Sequence, residues 1–325
     1  MSPHLYSISI NSLPQFLLSL TPSNSSNYSD SAPDPDFILS FRQSPHRLVC
    51  GKMINALLYA DDVVLISDRT NIQNLLRRAE EHSCQLGYRW NPSKCVVLQQ
   101  PNNGNTNPLP LLYLYNQPLP TVSNFVYLGI PFNASGIINN QQLIQRNVAL
   151  ALTGMRTSRT VECNPHGFPR LLAVKIYKQF IRPRFEYYLA IATFTKDEIK
   201  QVEKGQDQCL RYIFGGHSKS STIVFRHMAN LPTMDERTHT LGAKYLDRAY
   251  NYLPEYALLT KLRPVLRDKR HQWKQLHKFN KTWKLLPTPP EEASSQDLKS
   301  SIRTYRTTNL EISQHLELIQ FSSCL

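Results

Sequence analysis

Residues 53–66 read Met53-Ile54-Asn55-Ala56-Leu57-Leu58-Tyr59-Ala60-Asp61-Asp62-Val63-Val64-Leu65-Ile66. Two apolar runs of strand length flank a short acidic break, the pattern of a β-hairpin with both carboxylates at its tip. The spacing predicts strands over 53–59 and 63–67. Adjacent carboxylates between apolar strands are costly, because like charges resist joint ionisation and the flanks strip away water. A divalent cation relieves both penalties, and a solvated turn avoids them. The dipeptide alone does not choose between the two.

Working outward, a helix follows the hairpin. Thr70 and Gln73 have capping-box spacing, Ile72, Leu75, Leu76, Ala79 and Leu86 share one face, and Gly87 sits where a C-cap glycine belongs. A turn at 90–94 leads into a strand at 95–98. Beyond a Pro/Asn-rich loop come short strands near 111–115 and 125–128, the last ending at Gly129. Upstream, Ser2 and Pro3 open a helix carrying Leu5, Ile8, Leu13, Phe16 and Leu17. A polar loop at 21–36 and a strand at 37–43 connect it to the hairpin. This order reads as an α+β module on an antiparallel sheet. Past residue 136 strand signals fade into helical stretches over 142–154, 170–192, 196–214 and 234–252, and the last forty residues read as weakly structured. Gly215-Gly216 reads as a helix C-terminus, since no strand precedes it and no phosphate-loop lysine follows.

With 41% hydrophobic and 19% charged residues, the 325-residue chain has the composition of a folded protein, which excludes wholesale disorder and fibrous repeats. Its charge is split. Residues 1–135 carry eight Lys/Arg and eight Asp/Glu, whereas residues 136–325 carry 29 and 16, so the whole net +13 lies in the second part. Such a half suits a polyanionic partner, nucleic acid first among them; a plain basic surface is the alternative. Within it, 261–284 holds nine Lys/Arg against Asp268 alone and interleaves Lys269, Arg270 and Lys274 with Trp273, Phe279 and Trp283. Cations between stacking rings fit single-stranded nucleic acid, and a basic tail fits equally well. Arg182-Pro183-Arg184 is a second basic cluster that faces either phosphate or solvent. The six cysteines form no Cys-x-x-Cys pair and have no histidine at zinc spacing, which reads as a reduced, intracellular protein, in nucleus or cytoplasm. The absence of a basic leader and of any uncharged apolar run near the roughly 20 residues of a membrane helix argues against secretion and membrane spanning.

Taken together, "LLYADDVVL" (57–65), "LGYRWNPSKCVVL" (86–98) and "FVYLGIPFNASG" (125–136) closely resemble the palm of reverse transcriptases from non-LTR retrotransposons. The opening "SPHLYSISINSLP" (2–14) looks like the tail of the motif that shapes the nucleotide pocket. "RLLAVKIYKQFIRPRFEYYLAI" (170–191) and "QCLRYIFGGH" (208–217) are similar to the helical thumb that follows. The resemblance runs over about residues 1–250. It implies a partial right-hand polymerase palm at 1–135, an all-helical thumb-like region at 136–250 and a basic C-terminal region at 251–325. It further implies an RNA-directed DNA polymerase that takes an RNA template, a DNA primer and deoxynucleoside triphosphates. Asp61 and Asp62 would hold Mg²⁺, Lys94 would give a proton to pyrophosphate, and Tyr127, Leu128 and Gly129 would position the primer end. Arg182, Arg184, Lys269, Arg270, Trp273 and Lys274 are the candidate nucleic-acid contacts. The family's fingers, third metal-binding carboxylate and Gln-Gly pair come before the segment that here begins at Met1. The expectation is therefore an N-terminally truncated element product or one exon, catalytically incompetent alone. The alternative is a non-enzymatic remnant that binds nucleic acid through its basic half.

Overall fold

The computed structural model describes Leu13 and residues 55–67, 71–99, 110–255, 257–260, 272–287 and 293–322. The helix expected around 2–17, except for Leu13, and the strand expected at 37–43 lie outside these residues, as do Met53 and Ile54. The chain divides into two compact units, Met1–Asn139 and Asn140–Leu325.

In the first unit β1 (Ala56–Tyr59) and β2 (Asp62–Leu65) pair antiparallel, with Ala56 opposite Leu65 and Tyr59 opposite Asp62. The period of two puts Ala56, Leu58, Val63 and Leu65 on one face, where Leu75 and Ala79 of α1 (Ile72–Gln85) and Leu13 cover them. Each fully covered leucine contributes about 1.5–3 kcal/mol. Helix α1 starts at Asn71 without a side-chain cap. Thr70, the partner expected for Gln73 in a capping box, lies outside the described residues. The Gln73 amide exchanges two hydrogen bonds with the Tyr113 backbone: Tyr113 N–H donates to Oε1 at 2.9 Å and Nε2 donates to the carbonyl at 3.0 Å. Gly87, at φ 70, ends the helix as its position predicts.

The remaining strands are short. β3 (Val97–Leu98) pairs parallel with β6 (Thr121–Val122), β4 (Tyr113–Leu114) pairs with β5 (Gln117–Pro118), and β7 (Asn124–Tyr127) pairs with β8 (Ile130–Asn133). Among the described residues these are four two-stranded sheets, one of them parallel, in place of the single antiparallel sheet expected. Residues 113–118 close on themselves through Tyr115 and Asn116, both at positive φ. Leu76, Leu112, Leu114 and Leu119 form the core beneath this hairpin.

The second unit is helical: α2 (Asn140–Thr160), α3 (Arg170–Ile176), α4 (Arg182–Glu186), α5 (Lys196–Phe214), α6 (Thr222–Ala229), α7 (Met234–Asp247), α8 (Gln272–Phe279) and α9 (Ser295–Ser322). The helix expected over 170–192 is interrupted by a π-helical turn at Tyr177–Ile181 and stops at Glu186. Pro183 has no N–H to return to Gln179, so the ladder widens there. Thr195 with Glu198 and Thr233 with Glu236 form capping boxes that start α5 and α7. Gly205 lets α5 approach α4 closely, since a Cβ there would lie 2.7 Å from the Phe185 ring. Around this contact Ile144, Met155, Tyr177, Ile181, Leu210 and Ile213 make the main core. Among the described residues of the last forty, which the sequence reads as weakly structured, Ser295–Ser322 is helical. Ala243, Leu246, Leu276, Trp283 and Leu298 pack α7, α8 and α9 into a second core, and the Ser294–Asp297 pair caps α9. No helix among the described residues is long and apolar enough to cross a membrane.

Candidate functional site

The β1–β2 loop has two residues, Ala60 and Asp61, and Ala60 alone adopts positive φ, at 50°. That is the pattern of a type II′ turn, whose first position ordinarily holds glycine. An L-residue there stores strain of about 1–2 kcal/mol. Tyr59, Ala60, Asp61 and Asp62 are all exposed. The two half-buried strands thus deliver two solvated carboxylates on a tight, strained tip.

The β7–β8 loop is Leu128-Gly129, with φ of 48° and 75°, the type I′ arrangement that matches strand twist. Gly129 takes this conformation freely; Leu128 does not. Tyr127, the residue just before the loop, is half-buried. Burial raises its phenol pKa, and the Asp62 carboxylate raises it further. The Asp62 carboxylate is therefore near enough to act electrostatically on the Tyr127 phenol.

Lys94 is exposed on the 3₁₀ turn Pro92–Lys94, which Asn91 caps by accepting from Ser93 N–H at 3.1 Å. It makes no ion pair with Asp61, Asp62 or any other described residue. Two carboxylates are a hard-oxygen donor set that suits Mg²⁺, an ion commonly held by one or two carboxylates and completed by substrate phosphates. Among the described residues no third Asp, Glu, His or Cys joins them. Among the described residues the tip thus offers two carboxylates, which would suit one ion.

Of the basic candidates, Arg182 is drawn inward. Its Nε lies 3.0 Å from Glu186, which also pairs with Arg237, so the guanidinium is committed to this network. Arg184 is exposed but donates to the Leu150 carbonyl at 3.0 Å, tying α4 to α2. Lys274 is exposed on α8. Lys269, Arg270 and the Trp273 side chain lie outside the described residues. Trp283, read as a stacking ring, is instead a core residue stacked on Tyr250 at 6.0 Å.

No family model, curated protein or solved structure matches the chain.

Proposed function

We propose that the chain is the palm and thumb-like part of an RNA-directed DNA polymerase of the non-LTR retrotransposon kind. One observation supports this reading: the Asp62 carboxylate of the acidic turn acts electrostatically on the Tyr127 phenol of the Tyr-Leu-Gly hairpin. The motif resemblance expects these two residues in one site, and the electrostatic effect of Asp62 on Tyr127 supports that expectation. In this reading Asp61 and Asp62 hold one Mg²⁺, which supplies positive charge for nucleotide phosphates. Tyr127, Leu128 and Gly129 seat the primer end on a rigid turn next to the carboxylates. Lys94 is the proton donor by resemblance, and the basic second unit grips template and primer by charge. The two-carboxylate donor set favours a second reading for the 325-residue polypeptide by itself, namely nucleic-acid binding without catalysis.

Iron-directed cleavage tests the site. Fe²⁺ replacing Mg²⁺, with ascorbate and peroxide, should cut the backbone near 59–62 and near 125–130 together. Both cuts should vanish in Asp61→Asn/Asp62→Asn. Cleavage confined to one hairpin, or unchanged in that variant, would refute the shared site.

A further inference from the structure

Two clefts line the same side of α2 and share Arg156. One, of about 530 Å³, lies at the C-terminal end of the helix between Arg156, Arg159, Asn164 and His166. The other, of about 370 Å³, runs back towards the N-terminus past Thr153 and Gln145, over an aliphatic floor of Val148, Ala149 and Leu152, and is closed by Gln201 of α5. From Gln145 to Thr160 the track is about 22 Å long at 1.5 Å per residue, room for several consecutive phosphates.

Its lining is chemically one-sided. The 21 residues of α2 include three arginines and no Asp or Glu, and no carboxylate lines either cleft, although the second half of the chain holds sixteen. Arg156 and Arg159 make no ion pair with a described residue. Arg159 is held in place: its guanidinium stacks 4.6 Å from the centre of the Tyr212 ring, whose hydroxyl accepts from Gln208 at 2.7 Å. The turn beyond the helix is fixed by His166 N–H donating to Asn164 Oδ1 at 3.0 Å. Arginines at a helix C-terminus also complement its dipole, but that accounts for neither the mixed amide, hydroxyl and aliphatic track behind them, which suits the alternation of phosphate and sugar, nor the missing carboxylates. No Phe, Tyr or Trp lines the groove, so it offers no platform for stacking bases.

We infer that this groove is the nucleic-acid contact of the second unit and that it takes the sugar–phosphate backbone of a polynucleotide without reading or stacking its bases. The inference rests on the reading above that the second unit grips nucleic acid, and it names the face that does so. Charge-assisted bonds from Arg156 and Arg159 hold phosphates, and Gln145, Thr153, Asn164 and Gln201 supply neutral hydrogen bonds along the strand.

The test is fluorescence anisotropy on the full 325-residue chain, titrated with a thymidine homopolymer and with an abasic deoxyribose–phosphate strand of equal length over a range of salt. The abasic strand should bind within about threefold of the homopolymer. Arg156→Ala/Arg159→Ala should weaken binding of both at least tenfold and lower the log–log salt slope by about 1.4, two contacts at about 0.7 each. Lys299→Ala/Arg303→Ala removes the same charge from the exposed face of α9 and should cost less than threefold. Thr153→Glu, an exposed change, should weaken binding at least tenfold with an unchanged melting curve. A tenfold weaker abasic strand, or equal losses in the two double variants, would overturn the inference. A wild-type chain that binds neither strand removes the underlying reading with it, whereas wild-type binding indifferent to Arg156 and Arg159 removes this inference alone.

Discussion

The Tyr127 phenol lies in the field of the Asp62 carboxylate, and the two residues belong to separate hairpins that share no backbone pairing. Burial raises the phenol pKa first and Asp62 raises it second. Asp62→Asn should therefore lower the Tyr127 pKa while leaving it above an ordinary tyrosine. Titration of a ζ-carbon-labelled tyrosine by NMR measures this. An unchanged Tyr127 pKa in the variant would contradict the proximity.

The strained tip predicts a stability response. Ala60 at φ 50° occupies a glycine position, so Ala60→Gly should stabilise the first unit by about 1 kcal/mol and Ala60→Val should destabilise it. Urea unfolding monitored at Trp90, which packs in this core, reads the difference. Destabilisation by glycine would mean that the turn is unstrained.

A pH effect follows from His82. The imidazole is buried, its Nδ1 lies 2.7 Å from the Tyr88 hydroxyl, and burial lowers its pKa from the ordinary 6.5. The unfolded chain therefore takes up this proton first as pH falls. The stability of the first unit should drop below about pH 6.5 and level off once the folded form is also protonated. His82→Gln should flatten that dependence. A stability profile identical in the variant would show that His82 carries none of it.

The two-carboxylate tip predicts an activity result. The purified 325-residue polypeptide should not extend a primer on RNA with Mg²⁺ or Mn²⁺, since no third carboxylate joins Asp61 and Asp62 among the described residues. Template-dependent product that disappears in Asp61→Ala would show that the missing ligand is supplied from elsewhere.

The parts of this fold legible in the sequence are those whose causes are local. The β1–β2 hairpin follows from two apolar runs around Asp61-Asp62, and Lys196–Phe214 from a face of buried residues ending at Gly215. What escaped sequence reading depends on tertiary partners. α9 is rich in Ser, Thr, Arg and Gln with a weak apolar face, and it is held by Leu298, Ile302 and Tyr305. Strands of two residues, such as Val97–Leu98, carry no readable period, and Pro183 interrupts a helix whose apolar spacing runs on through it. The same division holds at the site. Adjacent aspartates announce themselves, whereas the sharing of Glu186 by Arg182 and Arg237 and the inward turn of Trp283 do not.

The central claim is that the acidic turn holds a divalent ion beside Tyr127. Adding Mn²⁺ stepwise to the tyrosine-labelled chain tests it most directly, because the paramagnetic ion broadens only nearby resonances. The account predicts that the Tyr127 signal broadens before those of Tyr177 and Tyr245, and that the effect is lost in Asp61→Asn/Asp62→Asn. Uniform broadening of all tyrosines, or broadening of Tyr127 that survives in that variant, would contradict it.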